Sequence, residues 1–117
     1  MQAELDVTML ALADPTRRAI LRRLAAGEAR VTELAQPFAM SLNAVSKHIR
    51  LLERAGLVQR RRAGREHFLS FDAGPLEAAT RWIEEQREFW AARLDALEAL
   101  LEAEDRAGPP PSKDRGS

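Results

Sequence analysis

Ser41-Leu42-Asn43-Ala44-Val45-Ser46-Lys47-His48-Ile49-Arg50-Leu51-Leu52-Glu53-Arg54-Ala55-Gly56-Leu57-Val58 is the stretch that decides how the chain reads. Ser41 can cap a helix running to about Ala55, and Gly56 is a suitable C-terminal stop. Leu42, Val45, Ile49 and Leu52 recur at helical spacing and define a core face. The opposite side carries Asn43, Lys47, Arg50 and Arg54, with Glu53 off that line. A solvated face would mix in acids, so a stripe of one amide and three cations points to a polyanionic partner. After Gly56 the pattern changes to period two. Leu57 to Arg62 and Glu66 to Phe71 read as two strands around Ala63-Gly64-Arg65, a β-hairpin with a basic tip.

Working back toward the N-terminus, Leu5, Met9 and Leu12 share one face of a helix over Ala3 to Ala13. Asp14-Pro15 is a cap followed by a first-position proline, so a second helix begins there and turns Ile20, Leu21 and Leu24 inward. Gly27 ends it. Thr32 can cap a short helix from Glu33 to Phe38, kept brief by Pro37, and a tight Ala39-Met40 connection leads into Ser41. Beyond the hairpin, Gly74-Pro75 breaks the chain before a long helix from about Leu76 to Glu104. Its Leu76, Ala79, Ile83, Trp90, Leu94, Leu97 and Leu101 follow a heptad-like seam, and Trp82, Phe89, Ala96 and Leu100 form a second stripe. Two stripes exceed what one small domain needs to cover, so part of this helix is expected against a partner chain. Residues 107–117, proline-rich and polar, read as a disordered tail.

The chain has 117 residues, 18 Lys+Arg against 18 Asp+Glu, and no cysteine. The length suits one domain over 1–106. Absence of cysteine excludes disulfides and thiolate metal sites and favours a reducing, cytoplasmic setting. No apolar run is long enough to span a bilayer, and the start has no signal-peptide pattern. A net charge of zero argues against nucleic acid until it is counted by segment. Residues 1–40 are neutral, 41–71 carry +5, and 72–107 carry −6. A basic middle is joined to an acidic rear helix.

The order of elements, and the run from Leu10 to Phe71 with its MSLNAVSKHI and LERAGLV motifs, resembles the DNA-binding core of ArsR-type bacterial transcriptional regulators. That resemblance implies a mainly α fold with one β-hairpin, a winged helix-turn-helix ordered helix-helix-helix-helix-strand-strand-helix that dimerises through its first and last helices. The helix-turn-helix would span 32–55, the wing 57–71 and the dimer helix 76–104. The chain departs from the family's metal sensors. The stretch Val31-Thr32-Glu33-Leu34-Ala35 has no thiol where thiolate sensors place theirs, and the last helix has no histidine among its acids. No metal and no cofactor is therefore expected. The sequence is closer to a cysteine-free branch whose members often sit beside genes for START-like proteins.

A major groove admits an α-helix whose first turns reach base edges while flanking cations hold phosphates. Asn43, Ser46 and Lys47 are expected to face bases, Ala44 a thymine methyl, and Ser41, Arg50 and Arg54 the backbone. In the wing, Arg61, Arg62 and Arg65 would follow phosphates or enter the minor groove. Blander readings stand beside these. Ser41 could serve only as a cap, Lys47 and Arg50 as solvated charges, and the cluster Arg60 to Arg62 as an edge-strand device against aggregation. His48 fits packing between helices better than base contact, and His67 an exposed hairpin position. Leu5, Met9, Trp82, Phe89, Trp90, Leu94, Leu97 and Leu101 are candidates for a homodimer interface. The expected partners are double-stranded DNA and a second copy of the chain, with no membrane and no identifiable effector. The competing class is a winged-helix protein-interaction module with a coiled-coil arm. An enzyme is the least supported class, since there is no cysteine, the two histidines have no evident acid partner, and no phosphate loop or metal-ligand spacing appears.

Overall fold

The computed structural model describes residues 2–108. The elements are α1 (Gln2–Leu12), α2 (Pro15–Ala25), β1 (Ala29–Arg30), α3 (Val31–Ala35), α4 (Leu42–Arg54), β2 (Val58–Ala63), β3 (Glu66–Phe71) and α5 (Gly74–Ala107). They form two compact units, one ending at Arg81 and one beginning at Trp82, so the division falls within α5.

Local chemistry sets most boundaries where the sequence suggests them. Asp14 caps α2 by accepting from the Arg17 backbone N–H at 3.0 Å, and Pro15 occupies the first turn. Ser41 Oγ accepts from the Ala44 backbone N–H at 3.1 Å and starts α4. Beyond Ala55, Gly56 takes φ 77°, the left-handed conformation that lets the chain leave a helix. An alanine Cβ there would lie 3.5 Å from Pro75 Cγ, an ordinary contact. The cost of Gly56→Ala is therefore backbone strain of about 1–2 kcal/mol, to be read as a lower urea midpoint at unchanged slope.

Three expectations need correction. The short helix begins at Val31 and not after Thr32, because the Glu33 carboxylate reaches back to the Arg30 backbone N–H at 2.9 Å and fixes the first turn earlier. It ends at Ala35, and Pro37 has no N–H with which to extend it. On α1, the residues that go inside are Thr8 and Ala11, both 4% exposed, while Leu5 and Met9 are half-buried. Thr8 is tolerated there because its hydroxyl donates to the Glu4 carbonyl at 3.0 Å. At the far end, Ala107 is still helical and Gly108 follows at φ 78°, so the proposed disordered tail loses its first residue to α5; residues 109–117 lie outside the described residues.

The hairpin pairs Val58 with Phe71 through Ala63 with Glu66, leaving Gly64-Arg65 as a two-residue turn in which Gly64 takes φ 64°. Ala29 and Arg30 add a third antiparallel strand beside β3, giving the order β1-β3-β2. Two residues are too few to show an alternation, so this strand has no sequence signal. Ile20 of α2, Leu34 of α3, Val45, Ile49 and Leu52 of α4, Leu57, and Leu69 of β3 are buried together as one core. Its effect is to fix α4 and the hairpin on one scaffold.

Candidate nucleic-acid interface

With Val45, Ile49 and Leu52 turned into the core, the other side of α4 must face outward. Asn43, Lys47, Arg50 and Arg54 are exposed, and Ala44 and Ser46 are half-buried on the flank. Among the described residues, no side-chain hydrogen bond or ion pair engages Asn43, Lys47, Arg50 or Arg54. Ser41 is exposed, but its hydroxyl already accepts the capping bond. One lone pair and the hydroxyl proton remain, so the capping role and a backbone contact are compatible.

The wing differs. Arg60 forms a two-pronged pair with Glu53 of α4, with Nη2–Oε1 at 2.7 Å and Nε–Oε2 at 3.0 Å. Arg61 is held in the same way by Glu28, with Nη2–Oε1 at 2.7 Å, and its guanidinium lies 4.7 Å above the Phe68 ring. Those hydrogen bonds hold the Glu28 carboxyl below its usual range. Arg62 Nε donates to the Gly64 carbonyl at 3.1 Å. Arg65, at the tip, is exposed. Of the three wing arginines expected on DNA, Arg61 is thus already engaged by a carboxylate, a pairing with a residue 33 positions away that no local pattern reveals.

Behind α4, Arg17 of α2 is a hub. Its Nε donates to the Ala11 carbonyl at 2.8 Å, its Nη2 to the Leu10 carbonyl at 2.9 Å, and its Nη1 lies 3.2 Å from His48 Nδ1. Asp14 Oδ2 is 3.9 Å from the same imidazole nitrogen. Burial acts to raise the Asp14 carboxyl, but the Arg17 backbone N–H and the His48 and Arg17 charges outweigh it, and the net direction is down. His48 therefore bridges helices, in keeping with its sequence position. His67 is half-buried, with Nδ1 enclosed and without a partner, not the exposed hairpin residue expected.

In the second unit, the apolar seam of α5 is open. Trp82, Ile83, Phe89, Trp90, Leu94, Leu97, Leu100 and Leu101 are between 41% and 62% exposed. Phe89 and Trp90 meet edge to face at 6.0 Å, and Arg93 covers the Phe89 ring at 5.5 Å. On α1, Leu10 is 68% exposed, more open than either Leu5 or Met9, and lies off their line on the helix. Among the described residues no helix is long and apolar enough to cross a membrane, and no three potential metal ligands come together.

Comparison with known proteins gives a consistent picture. Residues 12–61 match the family model described as a helix-turn-helix domain. The chain is 39% identical over 99 residues to the HTH-type transcriptional regulator Rv2034 of Mycobacterium tuberculosis, covering 85% of this chain and 90% of that one. It is similar to the crystal structure of an ArsR family transcriptional regulator, RHA00566, at 42% identity and a TM-score of 0.74, covering 78% and 94% of the two chains. It also resembles the homodimeric winged helix-turn-helix DNA-binding domain Mb0332 of Mycobacterium bovis, at 28% identity and a TM-score of 0.58, covering 81% and 85%.

Proposed function

The chain belongs to the ArsR family of winged helix-turn-helix transcriptional regulators, and from that premise we propose that it is a cytoplasmic, homodimeric repressor that reads an inverted-repeat operator with α4. The observation that carries this is the run of unengaged cations along one exposed face of α4. Arg17, Arg30, Arg60 and Arg61 all have protein partners, whereas among the described residues Lys47, Arg50 and Arg54 have none. Three cations held on one exposed face beside Asn43 suit a groove lined by phosphates and base edges. Asn43, Ser46 and Lys47 read bases, Ala44 lies on their flank, and Ser41, Arg50 and Arg54 hold the backbone. Arg62 and Arg65 extend the contact along the wing, with Arg61 joining them if its pair with Glu28 opens. Residues 1–106 act as one functional module, with the helix-turn-helix at 32–55 and the wing at 57–71.

The partner for the open seam of α5 is a second copy, through helix 76–104; on the first unit, Leu5 and Met9 of α1 are further candidate interface residues. Two-fold symmetry then sets two recognition helices roughly 34 Å apart on one face of the duplex. No cofactor or metal enters this scheme. Selecting bound sites from random duplex DNA tests it, and an inverted repeat should emerge. Lys47→Ala is expected to relax the preference at one position of each half-site, a loss of about tenfold or more. Arg54→Ala should weaken binding to all sequences alike and lower the salt slope by about one per half-site. Recovery of no preferred sequence would overturn the proposal in favour of a protein-docking winged helix.

A further inference from the structure

Successive residues of α4 turn by about 100° about its axis, which separates its surface into stripes. Val45, Ile49 and Leu52 make the inner stripe, each 0% exposed. Ser46, Arg50, Asn43, Arg54 and Lys47 fan out beside it within an arc of about 100°. Leu42 projects between the two, about 20° from Ile49 and about 40° from Ser46. Spacing therefore assigns Leu42 to the core, but it stands in the first turn, ahead of Val45, the first buried residue of the helix. Its side chain is 50% exposed, and Met40, two residues earlier, is 38% exposed.

The leading end of a recognition helix is the part that approaches base edges most closely. An exposed leucine there, on the border of an amide-and-cation stripe, has nothing to offer phosphates or hydrogen-bonding edges. The one apolar group that the major groove presents is the C5-methyl of thymine. We infer that Leu42 is a specificity-determining residue that packs on a thymine methyl in each half-site. This rests on α4 being the recognition helix, and it adds a base preference that neither Asn43 nor Lys47 can supply.

Deoxyuridine tests the inference cleanly, because it keeps every hydrogen-bonding group of thymidine and lacks only the methyl. In duplexes selected from random DNA by the wild-type protein, each thymidine is replaced in turn. Wild type should lose about fivefold in affinity at one position per half-site, as expected for removing one buried methyl. Leu42→Ala should bind the thymidine duplex about fivefold more weakly and be indifferent to the exchange there, while Leu42→Met should retain sensitivity. Unchanged thermal midpoints establish that the variants fold. Indifference of wild type at every thymidine, or equal sensitivity in Leu42→Ala, would overturn the role of Leu42 and leave the recognition helix standing. Failure to select any site would overturn both.

Discussion

A Trp90→Glu/Leu97→Glu double variant is expected to sediment as a monomer at micromolar concentration and to bind a complete inverted repeat at least about a hundredfold more weakly than wild type. Both side chains are more than half exposed, at 58% and 51%, so charges there cost the isolated protomer little. In a dimer they would be desolvated in the seam without partners, which is expensive. The seam offers eight large apolar side chains along one helix, more contiguous apolar surface than a monomer ordinarily leaves in water. Affinity falls so far because linkage of two half-site contacts is lost, since the second contact in a dimer forms at high effective concentration. The variant should still bind a single half-site about as well as a wild-type protomer does. A double variant that remains dimeric, or that binds the whole operator normally, would refute the assignment of α5 as the interface.

Arg17→Met should be the most damaging single substitution among the polar residues, lowering stability by about 2–3 kcal/mol. Methionine retains much of the aliphatic volume but donates no hydrogen bond. The last turn of α1 has no basic residue of its own, so the Ala11 carbonyl, at the negative end of the helix dipole, depends on the Arg17 guanidinium, while the Leu10 carbonyl, which also accepts from the Ala13 backbone N–H at 3.2 Å, takes Arg17 as a second donor. His48 loses a donor at the same time, and the recognition helix loses its polar tie to α1 and α2. Each charge-assisted bond contributes about 1.5–3 kcal/mol, but exposed carbonyls recover water, which keeps the total below the sum. Urea unfolding gives the stability. Operator affinity measured well below the transition should also fall, because α4 is less firmly held. A change under about 0.5 kcal/mol, the range of an ordinary surface substitution, would mean that the hub is incidental.

Much of this architecture is legible in the sequence because local rules fix it. Asp14-Pro15, Ser41 and Gly56 are punctuation with short-range physical causes, and each acts as expected. The α4 stripe is legible because helical periodicity alone puts Asn43, Lys47, Arg50 and Arg54 opposite Val45 and Ile49. What could not be read is long-range. The Glu28–Arg61 pair and the Arg17–His48 contact join residues 33 and 31 positions apart, and they depend on how β1 and α2 are placed. The position of Leu42 could not be read either, since its angle on the helix suits the core and only its depth along the axis denies it. For α3, Thr32 offers a local cap, but the glutamate that reaches back from the third position sets the start earlier.

The pairing of Arg61 has a further consequence. Glu28 acts as an internal counterion, so under the proposed wing contact a phosphate arriving at Arg61 would displace a carboxylate of the protein before it displaces anything from solution. An exchange of that kind liberates cations from the DNA as usual, but the freed carboxylate recaptures some of them. The ionic-strength dependence of operator binding should therefore be shallower than the seven bases between residues 41 and 71 would suggest. Glu28→Gln should steepen it, as the protein gives up its own stand-in for salt.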